Sequence, residues 1–173
     1  MRSNKRYTNA TFTKRVDHET GQQPTSGAPT EPRVCKVCGA LYVDRRWTIT
    51  DARPENTKHQ RFRTPQLVIC PACEQQRKDV PGGYLHIEGA FFATHRDEIE
   101  RLLSNEAERA AQDNPLARIM KWERSNEKKL TLTTTTEHLA QRLGHALEKA
   151  YCGKVRYDFS HENKLAHVWW HRD

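Results

Sequence analysis

The chain has 173 residues, of which 35% are hydrophobic and 29% charged, with a mean hydropathy of −0.95. This supports one compact domain of about 100 residues with polar extensions and excludes a large multidomain enzyme. Residues 1–83 hold 15 basic and 8 acidic side chains and residues 84–173 hold 14 of each, so the whole formal charge of +7 lies in the N-terminal half and points to an anionic partner. There is no run of 18 apolar residues, and no apolar segment follows the basic start, so neither a membrane span nor a signal peptide is expected. Five cysteines fall as two Cys-x-x-Cys pairs and a single Cys152, a grouping that suits metal ligands in a reducing cytosol better than disulfides. Cytoplasm is the expected location.

Residues 1–33 carry only Tyr7, Phe12 and Val16 as sizeable apolar groups, too few to offset ordering entropy, and are expected to form a flexible basic tail. Residues 34–79 hold the cysteine pairs and, between them, a net-basic loop. Pro81-Gly82-Gly83 then separates this module from an α+β domain over 84–173.

In that domain Leu85 and Ile87 alternate as one face of a strand, and Thr94 with Asp97 resembles a capping box. The helix it opens is expected to run to about Gln112, with Ile99, Leu102, Leu103 and Ala110 on its apolar stripe and Asp113-Asn114-Pro115 as its stop. Leu116–Arg124 reads as either a strand or a short helix, with the strand favoured, turning through Ser125-Asn126-Glu127 into Lys129–Thr134, where β-branched residues concentrate. A second helix over Glu137–Tyr151 shows the stripe Leu139, Leu143, Ala146, Leu147, Ala150 and Tyr151, and Gly153 marks its end. Val155, Tyr157 and Phe159 alternate, and after a turn at Ser160–Asn163 Leu165–His171 completes a hairpin. The expected fold is therefore α+β: a zinc-ribbon-like Cys₄ module followed by an antiparallel sheet with two helices on one face.

Cys35-Lys36-Val37-Cys38-Gly39 and Cys70-Pro71-Ala72-Cys73 each read as a tight knuckle aiming two thiolates at one ion. Together they make a closed tetrahedral site for one structural Zn²⁺, with redox thiol chemistry as the alternative. The 31-residue spacer between Cys38 and Cys70 exceeds the about 15–20 residues of compact ribbons, so the loop must protrude. His59 lies in that loop, yet four thiolates already complete the shell, which argues against a catalytic metal. Cys152 reads as a small core residue.

The candidate RNA-binding residues are Arg2, Lys5, Arg6, Lys14, Arg15 and Arg33 in the tail, and Arg45, Arg46, Arg53, Lys58, Arg61 and Arg63 in the loop. Trp47 either packs on the first knuckle or stacks on a base. His161, His167 and His171 share no ligand spacing and read as surface or packing residues. Trp169 and Trp170 fall on opposite faces of one strand, and the run Thr133–Thr136 reads as a strand end followed by a helix cap. No phosphate loop, nucleophile elbow or paired-carboxylate motif is present, so no enzyme activity and no small-molecule substrate are expected.

The two cysteine pairs, Trp47 after the first, and the helix opening Glu137-His138-Leu139-Ala140 together resemble a segment of the nonsense-mediated-decay-protein-three family, the large-subunit export adaptors of archaea and eukaryotes. The resemblance spans about Cys35–Phe159, with Leu130–Leu147 resembling that family's strand-then-helix stretch, and the plan is also similar to a group of short bacterial proteins of unassigned function. The family's further zinc knuckles, barrel domains and export signals have no counterpart here, so export is not carried over. The resemblance implies Cys35, Cys38, Cys70 and Cys73 as zinc ligands and binding to the large ribosomal subunit and its rRNA, on the intersubunit face near the tRNA sites. The leading expectation is a ribosome-binding protein acting in hibernation under stress or in subunit maturation. The alternative is a zinc-ribbon adaptor for a protein partner, for example in transcription.

Overall fold

The computed structural model describes residues 32–43, 45–49, 65–160 and 165–173. Among them are two sheets and four helices, an α+β arrangement. The first sheet is small: β1 (Arg33–Cys35), β2 (Leu41–Val43), β3 (Arg46–Thr48) and β4 (Gln66–Val68) run in the order β3-β2-β1-β4. β1 pairs antiparallel with β2 and parallel with β4, and α1 (Pro71–Lys78) follows. Arg33 is thus the first residue of a strand and not the end of the tail.

The second sheet contains β5 (Gly83–Glu88), β6 (Ile119–Asn126), β7 (Lys129–Thr134), β8 (Lys154–Ser160) and β9 (Leu165–His171) in the order β6-β7-β5-β9-β8. Its neighbours are antiparallel except the central β5 and the adjacent β9, which run parallel. Between β5 and β6 lie the short α2 (Ala90–Thr94) and α3 (Arg96–Asp113), and α4 (Glu137–Tyr151) crosses from β7 to β8. Leu85, Ile87, Leu130, Leu132, Val168 and Trp170 project from one sheet face and are buried against Ile99 and Leu103 of α3 and Leu139, Leu143 and Leu147 of α4. These are the period-2 and period-3.6 apolar positions of the sequence.

Four local expectations change. No capping box starts α3: Thr94 Oγ1 turns back to donate to the Phe91 carbonyl at 3.0 Å, and α3 begins after His95 without a side-chain cap. Buried Phe92 and the stacked Phe91–His95 pair (ring centroids 3.9 Å apart) hold α2 as a separate turn. Residues 115–118 form a turn before β6, because Asn114 accepts the Leu116 N–H through Oδ1 and the Ala117 N–H through its carbonyl. The β6–β7 turn falls at 127–128, where Asn126 Oδ1 accepts the Lys128 N–H at 2.8 Å. Cys152 is exposed, at φ 58 just beyond α4; its carbonyl accepts the indole N–H of buried Trp170 at 2.7 Å. Burial falls on the tryptophan, the larger apolar group, while the cysteine serves through its backbone.

The threonine run acts as expected from its sequence. Thr135 accepts the Arg118 N–H and donates to the Leu116 carbonyl, and Thr136 caps α4 by accepting the Leu139 N–H at 3.2 Å. The sheet starts slightly earlier than the expected boundary: the Gly82 N–H donates to the Thr134 carbonyl, and its own carbonyl accepts the Ala166 N–H.

The helices cover one sheet face, so the opposite face carries cross-strand rows of polar and aromatic groups. One row is Lys121–Thr133–Tyr84–His167–Asp158 and the next is Glu123–Thr131–His86–Trp169–Arg156. His86 Nε2 lies 3.3 Å from His167 Nδ1, and His86 Nδ1 lies 3.3 Å from Thr131 Oγ1. Burial, then the neighbouring His167, lower the pKa of His86, with Glu88 opposing them.

Two predictions follow from this packing. A Cβ on Gly144 would stand 2.6 Å from Val168 Cγ1, so α4 rests on β9 at a distance that only glycine allows. Gly144→Ala, which in an open helix gains up to about 1 kcal/mol, is expected instead to destabilise by about 1 kcal/mol or more and to lower the melting temperature by several degrees. For His86, the unfolded chain takes up a proton at higher pH than the folded one. Its contribution to stability is therefore full above the unfolded value near about 6.5 and is lost as pH falls through the lowered folded value. The melting temperature should drop between about pH 8 and pH 5, less steeply in His86→Gln, as read by circular dichroism.

Candidate metal centre

Cys35, Cys38, Cys70 and Cys73 converge from two elements far apart in sequence. Cys35 ends β1 and Cys38 follows in the turn; the Gly39 N–H donates back to the Cys35 carbonyl and the Cys35 N–H to the Ala40 carbonyl, both at 2.8 Å. Gly39 sits at φ 75, the left-handed conformation this knuckle needs. The second pair is not a second β-knuckle, as its spacing alone suggested, but the start of a helix. Cys70 is the N-cap of α1, Pro71 occupies the first turn, and Cys70 Sγ accepts the Cys73 N–H at 3.4 Å. Proline fits there because the first helical N–H has no intrahelical acceptor, and the thiol takes the place of a capping oxygen.

Four bonds of about 2.3 Å from a tetrahedral ion set thiolate sulfurs about 3.8 Å apart. Cys35 Sγ and Cys73 Sγ are 3.8 Å apart, Cys38 Sγ and Cys70 Sγ are 3.7 Å apart, and all four lie within 4.8 Å of one another. The residues are positioned to hold one metal ion. Cys35, Cys70 and Cys73 are buried, beside Ala40, Ala72 and Leu116, with Trp47 and Ile69 packed around them. Trp47, which also touches Tyr42 at 5.2 Å between ring centroids, therefore packs on the knuckle.

The electrostatics call for a cation. Burial raises the Cys35 thiol, but N–H groups of Cys70, Cys38 and Val37 more than reverse this and bring it down to about 6. Burial pushes Cys73 up to about 11 and Cys70 higher still, with the nearby Cys38 adding to both. Without an ion the Cys70 and Cys73 thiols stay protonated at neutral pH, and a bound ion would displace their protons. Arg118 supplies one positive charge from outside the module: its Nη1 lies 3.9 Å from Cys73 Sγ, and its Nε donates to the Pro115 carbonyl at 2.8 Å. Nothing local in the sequence aims Arg118 or Leu116 at the cysteines: both belong to an irregular turn, and Arg118 and Cys73 are separated by 45 positions. The centre is thereby joined to the α+β domain, with further links from Gln75 Nε2 to the Thr135 carbonyl and from Lys121 to Asp79.

Of the candidate RNA-binding residues, three are described. Arg33 is half-buried in β1 with Nε unpartnered, and Arg45 and Arg46 are exposed at the start of β3, Arg45 at φ 63. Arg2, Lys5, Arg6, Lys14, Arg15, Arg53, Lys58, Arg61 and Arg63 lie outside the described residues, as do His59 and His161. No family model matches the chain, and neither the curated proteins nor the solved structures contain a match.

Metal analysis of the purified chain is expected to give one equivalent, lost in Cys35→Ser and in Cys73→Ser at a cost of several kcal/mol to the module. Arg118→Met should keep the four ligands yet weaken retention about ten-fold or more in competition with a chelator. Unchanged retention would assign Arg118 to packing alone.

Proposed function

We propose that the chain is a non-enzymatic, zinc-stabilised RNA-binding protein of the cytoplasm whose partner is the large ribosomal subunit. Zinc is the ion that four thiolates at tetrahedral spacing, three of them buried, suit, and Cys35, Cys38, Cys70 and Cys73 would hold it as a structural staple with no open position for substrate. The observation that carries RNA binding is the placement of charge: the whole excess of +7 lies in residues 1–83, the tail and metal module, while residues 84–173 are neutral. Within the described part of that module Arg33, Lys36, Arg45, Arg46, Arg77 and Lys78 face only Glu74 and Asp79. Glu74 pairs with Lys78 at 2.8 Å and Asp79 with Lys121 at 2.5 Å, which leaves the cations in excess over the carboxylates. A rigid scaffold bearing such cations suits a polyanion of fixed shape. The resemblance of the two cysteine pairs and the following α+β domain to the nonsense-mediated-decay-protein-three family is what favours the large subunit as the site, with hibernation or maturation as the role.

A second reading, a protein adaptor, is favoured by one observation. Leu67 (69% exposed) pairs with Val34, and Val34 with Leu41, on the side of the small sheet opposite the cysteine row, with Val37 (66% exposed) in the adjoining knuckle.

Salt separates the two. Co-sedimentation with ribosomal subunits should weaken with a log–log slope of about 0.7–0.9 per phosphate contact. Deleting residues 1–30 removes Arg2, Lys5, Arg6, Lys14 and Arg15 and should flatten that slope without changing metal content. The triple change Arg33→Gln, Arg45→Gln, Arg46→Gln should flatten it by up to about two to three further units. Salt-independent association, abolished by Leu67→Asp, would favour the adaptor.

A further inference from the structure

The face of the five-stranded sheet that carries no helix presents an array of planar groups on its central strand β5 and the adjacent β9. Tyr84 and His167 are opposite neighbours on β5 and β9, with ring centroids 4.7 Å apart and planes within 5°. His86 and His167 are parallel within 3°, and Trp169 lies 5.4 Å from His86 and 5.5 Å from His167 at 20° and 18°. The Arg156 guanidinium extends the array, 3.9 Å from the Trp169 ring. All four ring residues are partly exposed, whereas Leu85, Ile87, Val168 and Trp170, the alternate residues of the same strands, are buried.

We infer that this face is a stacking platform for the bases of single-stranded RNA, an inference that rests on the RNA-binding reading above and names where the bases would lie. Planar groups on the central strands of an open sheet meet the requirement for sequence-tolerant stacking, because every base offers a π-face. The platform is set in advance. The His86 ring is held between Thr131 Oγ1 and His167 Nδ1, each at 3.3 Å, and Trp169 beneath Arg156, so stacking costs little further side-chain ordering. Phosphates have cations on both flanks: Lys121 and Lys129 on the β6–β7 side, Lys154 and Arg156 on β8. The carboxylates on this face are Glu88, which Lys129 pairs at 3.0 Å, together with Glu123 and Asp158. Cations and carboxylates are thus nearly balanced, so affinity here comes from stacking more than from charge. The pair Lys121–Asp79 joins this face to the end of α1, so a strand held by the basic metal module can continue onto the rings. A protein partner fits this face less well, since among the described residues none of the exposed large apolar groups lies on it: Val37, Ile49, Leu67 and Val80 lie in or beside the metal module, and Trp122 of β6, paired with Leu132, is on the opposite face.

The test uses the full chain, a fluorescent oligouridylate of about ten nucleotides, and an RNA duplex of similar length. The single strand is expected to bind more tightly than the duplex. Trp169→Leu and Tyr84→Leu should each weaken it by roughly five-fold or more with the salt slope unchanged, and Trp169→Phe should restore binding. Arg156→Glu, at an exposed edge-strand position, gives a variant whose folding is not at risk and should also weaken the single strand. Cross-linking with 5-bromouridine should label the strands bearing Tyr84 or Trp169. If these variants keep the wild-type melting curve and wild-type affinity, or if all cross-links fall in the metal module, the platform is overturned while RNA binding stands. If the wild-type chain binds neither the oligouridylate, the duplex nor ribosomal subunits, both readings fall together.

Discussion

Four sulfur atoms within 4.8 Å of one another set the terms for the N-terminal half of the described structure. Thiolates at that spacing repel, and protonated thiols make poor partners for one another, so the arrangement calls for a cation. Each strand of the small sheet has three residues, too few to bury a core, and among the described residues the buried cluster beside it consists of Cys35, Cys70 and Cys73 with Ala40, Ala72 and Leu116. Hydrophobic burial on that scale does not hold a module of this size together, and the four cysteines are positioned so that a metal ion would take its place. Leu116 and Arg118 come from the turn before β6, so the cysteine cluster is also where the module meets the α+β domain.

The α+β domain rests on a different kind of interaction, dispersion and apolar burial between one sheet face and two helices. Its core residues are almost all fully buried, and α4 approaches β9 closely enough that Gly144 has no room for a side chain. Packing on one side leaves the other side to water, and cross-strand pairing gathers Tyr84, His86, His167 and Trp169 there into one parallel array. The two parts thus offer complementary properties: charge on the metal module and flat, weakly charged rings on the sheet. A nucleic acid has a matching division between its phosphates and its bases.

The regular elements were legible because their signals are local. The helix Glu137–Tyr151 and the strands Lys129–Thr134 and Leu165–His171 have the limits that apolar periodicity and turn residues indicate. The burial of Trp170 with Trp169 on the opposite face follows from strand alternation alone. Irregular positions were misjudged where a tertiary contact outweighs the local preference. Thr94 and Asp97 have the spacing of a cap, but buried Phe92 fixes the preceding turn first and the threonine bonds backwards. Cys152 has the composition of a core residue, yet the indole of Trp170 claims its carbonyl and leaves the thiol outside.

By itself the sequence determined which residues can ligate a metal, where the charge lies, and which faces of the helices and strands are apolar, since each depends on residue type and spacing along the chain. Tertiary structure decided that Cys70 and Cys73 meet the ion from a helix start, that Arg118 stands beside their sulfurs, and that four planar side chains from β5 and β9 align on one surface. The physical reason is the same in each case. These are relations between atoms that sequence separates by up to 80 positions or more, as for His86 and His167, and only sheet order and helix docking set their distances.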